Sequence, residues 1–110
     1  MFDARTPAVA KFHAQLQIRA FGWHRKQWVC LSSLWGKESA WNPSARNSVA
    51  VTVYKDGKRV RLHAGGLPQI LGLNPATSVP RQVQMGLTYV HSRYGSPCQA
   101  WAWWQKHGSY

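Results

Sequence analysis

The stretch LWGKESAWNPSARN, residues 34–47, decides where helix gives way to sheet in this chain. Working back from it, Trp28, Leu31, Trp35 and Glu38 recur three or four residues apart, the spacing that lines up one face of a helix, and predict a helix over about 25–39. Asn42-Pro43 closes it, because the residue before a proline is pushed out of the α region. The same stretch holds the only glutamate of the chain, and helical spacing puts Glu38 on the apolar stripe, with its carboxyl directed toward packing and not toward solvent.

Outward on the N-terminal side, Thr6-Pro7 has the form of an N-cap with a first-turn proline. Val9, Phe12 and Leu16 then follow at helical spacing as the expected buried stripe of a first helix ending at Gly22. On the C-terminal side, VAVTVYKDGKRVRLH alternates Val49, Val51 and Val53 against a return of Val60 and Leu62. Asp56-Gly57 between them supplies the positive φ of a two-residue turn, so a β-hairpin is expected over about 49–62 and Asp56 is a turn residue without a chemical role. A glycine-rich loop, HAGGLPQILGLNP, leads to a short segment around 67–71. Ser78 and Pro80 open another helix with the stripe Val83, Leu87, Val90 and Tyr94, stopped by Gly95, and Ser96-Pro97 opens a last helix closed by Gly108. The fold class is α+β, mainly α: one domain over 1–110, with four or five helices and one hairpin.

At 110 residues and 45% hydrophobic content, with seven Trp, four Tyr and three Phe, the chain can build a single core and is not a disordered tail. A net charge of +11, spread along the sequence, favours polyanionic partners: nucleic acid, anionic lipid or an anionic cell wall. No apolar run approaches the roughly 20 residues of a membrane span, and the N-terminal segment lacks the apolar core of a signal peptide. Cys30 and Cys98 are either two buried thiols or one disulfide. The five histidines lack the paired spacing of a metal site, so no metal and no cofactor are expected.

A carboxyl on the apolar side of a helix has a raised pKa, since desolvation disfavours its charged form, and can donate a proton near neutral pH. The plain alternative is an ion pair with Lys37 or Arg46 at the helix end. Trp41, Trp101, Trp103 and Trp104 are in surplus for so small a core, and flat aromatic faces beside a proton donor suit a sugar-binding groove. Glycoside cleavage ordinarily uses two carboxyl groups about 5 to 9 Å apart. Here the only others are Asp3, near the terminus, and Asp56 on the hairpin tip. A lone acid needs help from the substrate, such as a neighbouring acetamido group, and this points to N-acetylated polysaccharides.

ESAWNP with the following Ala45 and Asn47, then GLPQI, then VQMGLTYVHSRYGSPCQAW and a closing GSY, together resemble the lysozyme-like lytic transglycosylase domain of bacterial and phage cell-wall lysins. The likeness covers about residues 24–48 and 64–110 and implies a lysozyme-like fold. It implies Glu38 as catalytic acid/base and Ser39 as the hydroxyl that positions the acid or the substrate. It places Gln69 opposite the glutamate, with Gly65 and Gly66 letting backbone approach the glycan. Tyr89, Tyr94, Trp101 and Tyr110 match aromatic groove positions, Trp41 and Asn42 join them as substrate-binding positions, and Cys30 and Cys98 match a disulfide of secreted members.

The activity implied is cleavage of peptidoglycan between N-acetylmuramic acid and N-acetylglucosamine, leaving a 1,6-anhydro end. The expected partners are glycan strands and, through the basic surface, anionic wall polymers, met by a monomer acting at the bacterial wall as a phage lysin, a virion-associated enzyme or a protein exported by another route. A hydrolytic muramidase of the same fold is the neighbouring reading, and a basic nucleic-acid-binding module is the alternative of another class. The sequence departs from the family in its Lys- and Arg-rich hairpin, which is open to two readings, a grip on anionic polymer or a neutral insertion. It departs again at Trp103 and Ser109, where the family often has His and Trp.

Overall fold

The computed structural model describes residues 5–108. Asp3, Ser109 and Tyr110, each given a place in the sequence reading, lie outside the described residues. The chain runs α1 (Pro7–Gln17), a 3₁₀ turn (Ile18–Phe21), α2 (Arg25–Ser39), β1 (Arg46–Lys55), β2 (Lys58–Gly65), β3 (Ile70–Leu71), α3 (Val79–Tyr94) and α4 (Pro97–His107). This is an α+β architecture, mainly α, as the hydrophobic periodicity implies.

Helix boundaries follow local chemistry. The Thr6 hydroxyl accepts from the Val9 N–H at the start of α1, and the Ser96 hydroxyl accepts from the Gln99 N–H at the start of α4. Helix α2 stops earlier than Asn42-Pro43 requires. Ala40 caps it in the left-handed conformation at φ 53° and Trp41 follows at φ 58°, two consecutive non-glycine residues in a region that L side chains seldom adopt.

The core is formed where α1, α2, α3 and α4 meet around Leu31, Leu34, Trp35, Val83, Leu87 and Val90. Helix α1 corrects the expected stripe: it buries Ala10 and Ala14, followed by Ile18 of the 3₁₀ turn, while Phe12 and Leu16 stand 58% and 48% exposed. Two alanines on the inward face let α1 approach α3 closely, a demand of shape that hydrophobicity alone does not rank. At Gly86 of α3 an added Cβ would lie 2.5 Å from the Trp35 ring and 2.9 Å from Pro68, so α3 meets α2 and the following loop through a position open only to glycine.

The hairpin is longer than expected and belongs to a three-stranded antiparallel sheet in the order β1-β2-β3. Its turn is the one read from sequence, with Asp56 at φ 54° and Gly57 at φ 76°. The short β3 was not expected, since two residues carry no periodicity. Along the hairpin Val49, Val51 and Tyr54 are exposed. Cys30 of α2 and Cys98 of α4 form a disulfide.

Candidate active site

Glu38 sits in the last turn of α2, half-buried, with Oε1 shielded from solvent and without a hydrogen-bond partner. Burial pushes its pKa from 4.5 up to about 7, while a hydrogen bond from the Trp104 side chain acts in the opposite sense. The negative end of the α2 dipole adds to the disfavour of a charged carboxylate there. Among the described residues no cation pairs with Glu38, so the ion pair with Lys37 or Arg46 is not formed. Of the other carboxyl side chains, Asp56 occupies the hairpin turn, roughly 30 Å along the ribbon from its base. Asp3 is outside the described residues.

The backbone around Glu38 is held by a dense set of hydrogen bonds. Ser39, buried, donates its hydroxyl to the Leu67 carbonyl at 2.8 Å and to the Trp35 carbonyl at 3.2 Å, tying the end of α2 to the glycine-rich loop. Its hydroxyl is engaged as a brace for the acid-bearing turn. Gln69, itself at φ 50°, donates from Nε2 to the Gly66 carbonyl at 2.8 Å and the Ala45 carbonyl at 3.3 Å, locking the loop against the segment after Pro43. Three of the four non-glycine residues with positive φ, Ala40, Trp41 and Gln69, thus lie on the two segments that flank Glu38.

Behind them stands Gln82, fully buried on α3. Its Oε1 accepts from the Leu67 N–H at 2.9 Å, and its Nε2 is shared among the carbonyls of Pro43, Pro75 and Thr77 at 3.0, 3.1 and 3.0 Å. One side chain therefore joins the proline turn, the glycine-rich loop and the segment before α3. Sequence reasoning missed it, although position 82 falls among the apolar positions 79, 83 and 86 of the same helix face.

The two glycines serve this hub. A Cβ on Gly65 would lie 2.1 Å from the Leu73 carbonyl oxygen, and one on Gly66, at φ 73°, would lie 2.5 Å from Gln82 Oε1. Both are buried, so the close approach they permit is to the chain's own backbone and amide and not to a glycan, a correction to the expected role.

The expected aromatic set divides in two. Trp41 is 3% exposed and donates from Nε1 to the Ser32 carbonyl at 3.0 Å, so it belongs to the core and not to a groove. Trp101 stacks on Trp104 with centroids 5.4 Å apart, and both pack against the core while Trp104 reaches Glu38. Tyr89, Tyr94 and Trp103 form an outer run, with centroid spacings of 6.4 Å and 6.1 Å. Asn42 is exposed, its side-chain oxygen accepting from the Ser44 N–H at 3.0 Å.

Two depressions meet at this run. One, about 510 Å³, lies between Ile70 of β3 and Met85, Thr88 and Tyr89 of α3. The other, about 610 Å³, lies between Tyr94 and the outer face of α4. The Tyr89–Tyr94 pair is the saddle between them. Glu38 lines neither depression directly. The Tyr94 pKa is raised by burial first and then by Tyr89, with Arg93 acting in the opposite direction and the charge of Glu38 adding the smallest upward push. The arrangement offers a carboxyl partly protonated at neutral pH, whose charge is felt at Tyr94, and an aromatic saddle with open surface on both sides for an extended ligand.

Among the described residues no group of His, Cys, Asp and Glu could hold a metal ion, and no helix is long and apolar enough to cross a membrane. No family model matches the chain, and neither a curated relative nor a solved structure of significant similarity was found.

Proposed function

We propose that the chain is a peptidoglycan lytic transglycosylase with a lysozyme-like arrangement of its helices, cleaving the glycosidic bond between N-acetylmuramic acid and N-acetylglucosamine. The observation that carries this reading is Glu38: a half-buried carboxyl with a pKa of about 7, no ion-pair partner among the described residues and a charge felt at Tyr94 of the aromatic run. A group that is partly protonated at neutral pH suits both halves of the reaction.

In the first half Glu38 gives its proton to the glycosidic oxygen as the bond to the anomeric carbon breaks. The carbonyl oxygen of the substrate's own 2-acetamido group bonds to that carbon, doing the work that a second carboxylate does in the usual scheme. In the second half the Glu38 carboxylate takes the proton of the C6 hydroxyl, whose oxygen displaces the acetamido oxygen and closes the 1,6-anhydro ring. The proton lent in the first step is regained, and no water is consumed. Trp104 steers the carboxyl by its hydrogen bond, and Tyr89, Tyr94 and Trp103 offer ring faces for sugars on either side of the saddle.

The protein acts as a monomer at the bacterial wall, where its +11 charge favours capture by anionic wall polymer. The test is a zymogram of purified cell walls with the wild type beside Glu38→Gln. A clear band for the wild type and none for an equally folded Glu38→Gln supports the proposal. Clearing by both, or by neither, contradicts it.

A further inference from the structure

The depression beyond Tyr94 carries a chemistry that glycan cleavage does not call for. It is lined by Arg93, Tyr94, Gln99, Trp103, Gln105 and Lys106: two cations, two primary amides and two aromatic rings, with no acid among them. A neutral sugar backbone needs the rings and amides, not the cations. Arg93 is exposed and lies over the two tyrosines, its guanidinium carbon 5.7 Å from the Tyr89 ring centroid and 5.8 Å from that of Tyr94. Trp103, 44% exposed, is steadied from behind by His107, whose ring stacks on it at 3.8 Å and whose Nδ1 lies 2.9 Å from the Trp103 carbonyl oxygen. At about 610 Å³ the space exceeds what a single carboxymethyl-sized group fills and suits a short peptide.

We propose that this depression is a carboxylate-binding subsite, in which Arg93 and Lys106 pair with carboxylate groups carried by the substrate while Trp103 and Tyr94 pack against its CH surfaces. The ligand class is an acidic arm on an N-acetylated glycan. On peptidoglycan such carboxylates come from the stem peptide or, where the stem has been removed, from the lactyl group of the muramic acid. Arg93 presents paired N–H donors that match the two oxygens of a carboxylate, and Lys106 adds a second charge. The proposal rests on the activity proposed above for its choice of ligand, and on the pocket alone for its chemistry.

The experiment uses three soluble probes: a disaccharide bearing its stem tetrapeptide, the same compound with every carboxylate converted to a methylamide, and the disaccharide stripped of peptide. Each is titrated into the full chain carrying Glu38→Gln, with tryptophan fluorescence as the readout. Two further proteins add either Arg93→Gln with Lys106→Gln, or Arg19→Gln with Arg25→Gln, which removes the same charge from the far face between α1 and α2. The expected result is a loss of roughly tenfold or more in affinity for the carboxylate-bearing probe on removing Arg93 and Lys106, little loss on removing Arg19 and Arg25, and no change for the methylamide.

Binding of the stripped disaccharide shows which sources serve: equal sensitivity to the pair means that the lactyl carboxylate, freed by loss of the stem, is bound as well as the stem carboxylates are, and insensitivity assigns the stem alone. Lys106→Gln alone, on an exposed side chain, guards against a folding defect from Arg93→Gln. Equal losses for the methylamide and the free acid would overturn the proposal, as would displacement of the peptide probe by a short oligonucleotide at lower concentration than by the probe itself. If the wild type clears cell walls while the doubly substituted protein binds every probe unchanged, the subsite fails and the activity stands. If no wall is cleared yet the pair governs binding of the acidic probe, the activity fails and the subsite stands.

Discussion

A carboxyl whose pKa is about 7 in the folded chain, against an ordinary 4.5, holds its proton more tightly when folded than when unfolded. The stability it contributes is therefore complete below pH 4.5 and is lost as pH rises through 7. Glu38→Gln, which cannot ionise, escapes this loss. Thermal melts should show the two proteins alike at pH 4, and at pH 8 the variant should be more stable by on the order of 1–2 kcal/mol, allowing for solvent screening of a partly exposed group. Equal stability at both pH values would mean that the carboxyl is not shifted. On the proposed activity the same proton governs rate: cleavage by the free protein should fall as pH rises past 7. Trp104→Phe removes the one hydrogen bond that lowers the pKa, so the falling limb of the pH–rate profile should move to higher pH. A limb that stays in place would leave Trp104 without a hold on Glu38. Glu38 was legible from sequence because a single acid on an apolar stripe is conspicuous. Trp104 as its partner was not, because that contact joins two helices distant along the chain.

Among the elements, the contact of α3 with α2 and the glycine-rich loop should be the least tolerant of change. Gly86→Ala places a methyl within contact of the Trp35 ring and Pro68 and should cost about 1–3 kcal/mol in denaturant unfolding. Gln82→Ala strands the buried Leu67 N–H and the carbonyls it serves, and should cost roughly 2–3 kcal/mol while loosening the loop that braces Ser39. A loss below about 0.5 kcal/mol at either position would show that the site is not held this way. Helices α3 and α4 were readable because their starting prolines and terminal glycines bound them, and α2 because of its apolar spacing. The inward face of α1 was not: Phe12 and Leu16 outrank Ala10 and Ala14 in hydrophobicity, but the packing selects small residues. Nor could Gly65 and Gly66 be read correctly from sequence, where a backbone that approaches a ligand and one that approaches its own interior look alike.

Across the whole molecule, the Cys30–Cys98 disulfide ties α2, which bears Glu38, to α4, which bears Trp104. With a sequence separation of 68 between its ends, its removal by paired Cys30→Ala and Cys98→Ala should cost about 4 kcal/mol on the chain-entropy model and weaken the proposed cleavage through the same helix pair. Melts that coincide with and without the bond would contradict this. The fold class and the disulfide partners could be anticipated; the third strand and the convergence of loops on Gln82 could not, since neither leaves a local pattern. What joins all three scales in the proposed function is one acid, Glu38, with no second carboxylate beside it among the described residues. The most direct test is mass spectrometry of the fragments released from purified sacculi by the wild type and by Glu38→Gln. The prediction is muropeptides lighter by one water than the reducing-end products of hydrolysis, formed by the wild type and absent with the variant. Reducing-end products from the wild type, or anhydro products from Glu38→Gln at an undiminished rate, would contradict it.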